Sequence, residues 1–145
     1  MNLNKTISDV ESNYTNNCPY IDIQWQKGQI FVSNAVFRLI GKPNAILLLW
    51  NATKSTLIIK STEIDDPNGF PVIGKTYAKN GSLFIGSVTL ISEIWETTNW
   101  DKTLRFRIVA RYNEIENIAI FEMKTAESFE IPRNIHGGRP KKSKE

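Results

Sequence analysis

The chain has 145 residues, of which 41% are apolar and 23% charged. That length and balance suit a single soluble domain that buries its core without disulfide or metal staples. A single cysteine, Cys18, excludes an intramolecular disulfide, and a single histidine, His136, leaves no clustered ligand set for zinc. The longest strongly apolar run, Ala45–Trp50, is far short of the ~20 residues that span a bilayer. The Asn-rich N-terminus carries no apolar signal segment. The expectation is a cytoplasmic protein with no membrane segment.

The net charge of +3 is unevenly spread. Past Ile131, Arg133, Arg139, Lys141, Lys142 and Lys144 stand against Glu145 alone, a net +4 that leaves the preceding residues at −1. Within the body of the chain, Ile21–Glu63 is net +3 and Gly81–Ile131 is net −3. A basic tail on a mildly basic first half points to an acidic partner, nucleic acid first.

Residues 1–19 have little apolar periodicity and read as a flexible polar arm. Tyr20–Gln26 alternates, with Ile21, Ile23 and Trp25 on one face, as in a strand. Lys27-Gly28 makes a turn and Ile30-Phe31-Val32 a second strand. Ser33 is placed to cap a short helix, Asn34–Ile40, which Gly41 and Pro43 end. Ala45–Trp50 and Thr56–Lys60 form a hairpin across a turn-like Asn51–Ser55. These residues, 20–63, make a first β-α-β-β half. The stretch 64–80 holds Asp65-Asp66-Pro67-Asn68-Gly69 and reads as a linker with a tight turn.

The pattern then returns. Gly81-Ser82-Leu83-Phe84-Ile85-Gly86-Ser87 matches Gly28-Gln29-Ile30-Phe31-Val32-Ser33-Asn34 at an offset of 53. A helix over Ser87–Trp95, a strand Leu104–Val109, a turn Asn113–Asn117 and a strand Ile118–Lys124 complete a second β-α-β-β half, 81–131. The expectation is therefore a mainly β protein with short helices, its two halves related by a pseudo-twofold, followed by a disordered basic tail over 132–145.

Ile30–Lys60 resembles the AbrB-type DNA-binding domain, the swapped-hairpin fold. Ile30-Phe31-Val32 occupies the place of its first strand, Val36-Phe37-Arg38-Leu39-Ile40-Gly41 that of its helix and closing glycine, and Leu57-Ile58-Ile59-Lys60 that of its last strand. Ser33 stands where the family usually has proline, and Phe37 takes the place of one of two adjacent basic residues. A tandem copy resembles the duplicated MraZ-like arrangement, in which two halves close one barrel. The resemblance implies a small DNA-binding regulator, with Lys27, Arg38 and Lys42 supplying the basic face of the first half. In the tail, Gly137-Gly138-Arg139-Pro140-Lys141-Lys142 resembles an AT-hook core, which implies minor-groove or phosphate contacts from Arg139, Lys141 and Lys142. The alternative is a protein-interaction module or homodimer that has kept the core and lost the DNA contacts, with Trp95, Trp100 and the acidic second half as its partner surface.

Catalytic chemistry is thin. His136 lies in the tail, Cys18 has no adjacent base, and Asp65 and Asp66 read as turn residues. No phosphate loop or nucleophile motif occurs, so no enzyme, cofactor or metal is expected. Alternation puts Arg105 and Arg107 opposite Leu104, Phe106 and Ile108. Such a face suits phosphate, an acidic peptide or, most simply, cross-strand glutamates.

Overall fold

Alternating side chains decide which way each strand faces. In the computed structural model, which describes residues 18–72 and 82–132, β1 (Tyr20–Gln24) buries Ile21 and Ile23 fully and puts Asp22 and Gln24 on its other face. β2 (Gln29–Ser33) buries Ile30 and Val32. α1 (Asn34–Leu39) follows, then the hairpin of β3 (Ala45–Asn51) and β4 (Thr56–Thr62). A two-residue β5 (Phe70–Pro71) pairs with β3, so the stretch expected to be a plain linker adds an edge strand. The second half runs through β6 (Ser82–Gly86), α2 (Val88–Thr98), β7 (Leu104–Val109), β8 (Arg111–Asn113) and β9 (Ile118–Glu122). A single 3-10 turn, Met123–Thr125, leads into β10 (Glu127–Glu130).

The strands form two antiparallel five-stranded sheets. Sheet I has the order β10-β7-β1-β2-β6, and sheet II the order β5-β3-β4-β9-β8. One core joins them: Ile21, Ile23, Ile30, Val32, Ile85 and Ile108 from sheet I meet Ile46, Leu57, Ile59, Ala119 and Phe121 from sheet II. The described residues are thus mainly β with two short helices, as the alternation predicts. The matched segments at offset 53 lie side by side: β2 pairs with β6, and Phe31 faces Phe84 across the ladder. β4 and β9, the strands expected to end the hairpins of the two halves, also pair.

Four local expectations change. The hairpin partner of β9 is the short β8, not Leu104–Val109. β7 instead pairs with β1 and β10 in sheet I, and the chain crosses between sheets at Ala110, whose N–H donates to the Pro19 carbonyl at 2.8 Å. The choice is fixed by contacts distant in sequence, which local periodicity does not report. Ser33 precedes α1 but does not cap it. Its hydroxyl accepts from the Tyr20 N–H at 3.0 Å and donates to the Cys18 carbonyl at 3.1 Å, so Cys18 and Pro19 belong to the ordered fold and not to an arm. α2 runs on past Trp95 to Thr98, where Asn99, at φ 56°, ends the helix in the left-handed region with its N–H on the Trp95 carbonyl; the Thr97 and Thr98 hydroxyls donate to the carbonyls four residues back. The last strand stops at Glu122, and β10 follows it.

The four tryptophans pack inward or at the rim of the core. Trp100 stacks on Phe106 at 4.0 Å, and Trp95 meets Trp25, Trp100 and Phe106 at centroid distances of 5.2–5.7 Å. Trp95 and Trp100 therefore anchor α2 and its following loop to the inner face of sheet I and do not form a protruding partner surface.

Candidate nucleic-acid interface

The outer face of sheet I gathers side chains from five strands. Register sets one row across it, Glu127–Arg107–Asp22–Phe31–Phe84, and the next as Phe129–Arg105–Gln24–Gln29. Asp22 lies buried in the first row between two guanidinium groups. Arg107 donates Nε to Oδ1 at 2.7 Å and Nη2 to Oδ2 at 2.8 Å, a two-point grip. Arg105 donates Nη1 to Oδ2 at 3.0 Å. The side chains of Arg107 and Asp22 are 13% and 10% exposed, and that of Arg105 is 26% exposed. Asp22 on the neighbouring strand is thus a partner that the expectation of cross-strand glutamates did not include, while Glu127 stands directly opposite Arg107 in register.

Aromatic rings frame this charge cluster. Arg107 sits 4.3 Å over the Tyr20 ring and Arg105 sits 4.8 Å over Phe129, distances at which a cation is attracted to the ring face. Burial holds the Tyr20 phenol above its ordinary pKa, against the lowering effect of Arg107, so the ring carries a neutral hydroxyl. Across β1, β2 and β6 the rings Tyr20–Phe31 and Phe31–Phe84 follow at 5.6 and 5.2 Å. The ladder ends at Phe84, which is 58% exposed. Beside it lies a depression of about 260 Å³ with Gln24, Gln29, Lys27, Phe31, Phe84 and Arg105 in its walls.

The basic residues expected from the sequence do not form one patch. Lys27 stands in the β1–β2 turn, at the mouth of that depression. Arg38, in α1, and Lys42, just beyond it, lie past the opposite end of β2, and a strand of this length is roughly 16 Å long. Lys42 also holds a left-handed backbone, φ 54°. In place of Arg38 and Lys42, Lys27 is joined by Lys102, whose ammonium lies 4.2 Å over Trp25 at the same end of the sheet, and by Arg105. Arg139, Lys141, Lys142 and His136 lie outside the described residues, as does the arm up to residue 17.

The sequence did carry a signal for the aromatic row. Leu83 and Ile85 face the core, so alternation alone sends Phe84 to solvent, and the offset match puts Phe31 in the equivalent place. The role of Asp22 required knowing that β1 lies beside β7. Among the described residues no group of three potential metal ligands occurs, and no described helix is long and apolar enough to cross a membrane. Comparison with family models, curated proteins and solved structures finds no match.

Proposed function

We propose that this chain is a small nucleic-acid-binding regulator or accessory protein whose binding surface is the outer face of sheet I. The observation that carries the reading is the exposed ring of Phe84, backed by the half-buried Phe31 and the buried Tyr20, beside Arg105 and Lys27 on an open antiparallel sheet. Rings supply stacking surface and cations meet phosphate, the two contributions that hold nucleic acid to a sheet. The AbrB-like resemblance of Ile30–Lys60 and the register that sets Phe31 against Phe84 both fit two related halves arranged as in a swapped hairpin. The reading is of a binder without catalysis: Asp22, the buried carboxylate of the face, is fully engaged by guanidinium groups.

The test is fluorescence anisotropy with labelled A·T-rich and G·C-rich oligonucleotides over a salt series, comparing the full chain with one ending at Ile131. Binding that survives truncation, weakens under Lys27→Ala with Arg105→Ala, and ignores Arg38→Ala supports the sheet I surface. Loss of all binding with the tail makes the core a scaffold and removes this assignment. A second reading, a protein-interaction module, is favoured by one feature of sheet II: its outer face carries the apolar cross-strand row Leu49–Ile58–Ile120, with Leu49 43% exposed. Retention of a defined protein partner with no nucleic acid bound at low salt decides for it.

A further inference from the structure

Resting on that nucleic-acid reading, we propose that the ligand is single-stranded, and that the depression beside Phe84 takes one unpaired base, with Lys27 and Arg105 on the flanking phosphates.

Three observations carry this. Phe84 presents its ring to solvent from a strand whose neighbouring positions Leu83 and Ile85 face the core, and its one ring contact among the described residues is with Phe31, an edge contact inclined at 63°. An edge contact leaves a ring face open for a stacked base. A base within a duplex already has both faces covered, so an isolated exposed phenylalanine on a flat sheet gains stacking only from an unpaired one.

The polar groups beside the ring are unengaged. Gln24 and Gln29 face each other across β1 and β2, and among the described residues no protein group bonds their side-chain amides. An amide offers a donor and an acceptor together, the pairing that a base edge presents. Arg105 gives one N–H to Asp22 and has no other acceptor among the described residues, so the rest of its fork is available to a phosphate. Among the described residues Lys27 makes no ion pair.

Size and charge point the same way. A depression of about 260 Å³ lies at the lower end of ligand sites and suits one base, not a dinucleotide or a peptide helix. The carboxylate in its wall, Asp22, is neutralised by Arg105 and Arg107, so Lys27 sets the sign at its mouth. An acidic peptide would use the cations but leave Phe84 and the two amides without a role.

The experiment measures binding of a labelled twelve-residue oligothymidine and of a twelve-base-pair duplex to the full chain by anisotropy. The strand is expected to bind at least tenfold tighter than the duplex. Phe84→Ala should weaken the strand about 5- to 100-fold, the range of one lost stacking contact, and Phe84→Trp should restore it. Arg105→Gln should lower the salt slope of the strand by about one. Phe84 is exposed, so a circular-dichroism melt unchanged by Phe84→Ala separates lost binding from lost folding. Duplex binding equal to or tighter than strand binding, insensitive to Phe84→Ala, overturns the single-strand proposal and leaves the nucleic-acid reading standing. Displacement of the strand by equimolar thymidine monophosphate makes the ligand a free nucleotide and also overturns the proposal. No binding of either oligonucleotide at low salt overturns the nucleic-acid reading itself.

Discussion

Asp22 is the residue on which the charge of sheet I turns. It is buried, and it takes three hydrogen bonds from two arginines that a strand's alternation holds side by side. Removing its charge leaves two guanidinium groups without the buried carboxylate that three of their N–H groups meet. Asp22→Asn is therefore expected to cost about 2–4 kcal/mol, read as a lower urea midpoint at constant m, whereas Arg105→Ala, at the more exposed site, should cost about 1 kcal/mol or less. Equal costs for the two would show that the cluster is not held through Asp22. Asp66 offers a pH-resolved case. The Thr62 hydroxyl at 2.6 Å, first, and the Asn68 N–H at 2.9 Å hold its carboxyl below the ordinary aspartate value. A group held low stabilises the fold above its unfolded pKa and loses that contribution as pH falls through its folded pKa. Asp66→Asn should thus be less stable than the native chain at pH 7, with the gap closing in strong acid. A gap that persists there would assign the loss to packing.

Elements here are set by single polar groups at their ends. The Ser87 hydroxyl accepts from the Leu90 N–H at 3.2 Å, so Ser87→Ala should lower stability by about 1 kcal/mol. Ser33 occupies the matching place before α1 yet bonds Tyr20 and Cys18 instead. Its loss should show first in hydrogen exchange of the Tyr20 amide, with α1 unaffected. If α1 frays instead, the hydroxyl acts on the helix and not on β1. Lys42 holds a left-handed backbone with a β-carbon, so Lys42→Gly should raise the thermal midpoint by an amount worth about 0.5–1 kcal/mol. The same substitution removes a charge once expected on the DNA face. Unchanged oligonucleotide affinity in this stabilised variant would agree with a binding surface at the other end of β2.

At the scale of the molecule, the two sheets share one core, and each half supplies strands to both sheets. β2 finds its partner in β6, β4 in β9 and β1 in β7, so neither half closes its own sheets. Unfolding should be a single transition, with calorimetric and van't Hoff enthalpies equal. Residues 20–63 alone should be unfolded, because β1, β2 and β4 would each expose a free edge. Two separate calorimetric transitions would instead make the halves independent units.

The sequence by itself determined the long strands, the two described helices and their inward faces, but not the short strands β5, β8 and β10. Burial of one side of a strand imposes a period of two, and Ile21, Ile23, Ile30, Val32, Leu57 and Ile59 write that period plainly. It also determined that Phe84 points to solvent and that Arg105 and Arg107 share a face. Only the tertiary structure decided which strands lie together. Pairing of β1 with β7 joins residues more than eighty positions apart, and local periodicity is blind to such distances. That pairing gives the two arginines a buried aspartate in addition to the cross-strand Glu127 and brings Lys27 and Lys102 to one end of sheet I. It also separates Lys27 from Arg38 and Lys42, because a strand puts its two ends a fixed distance apart whatever the charges at either end prefer.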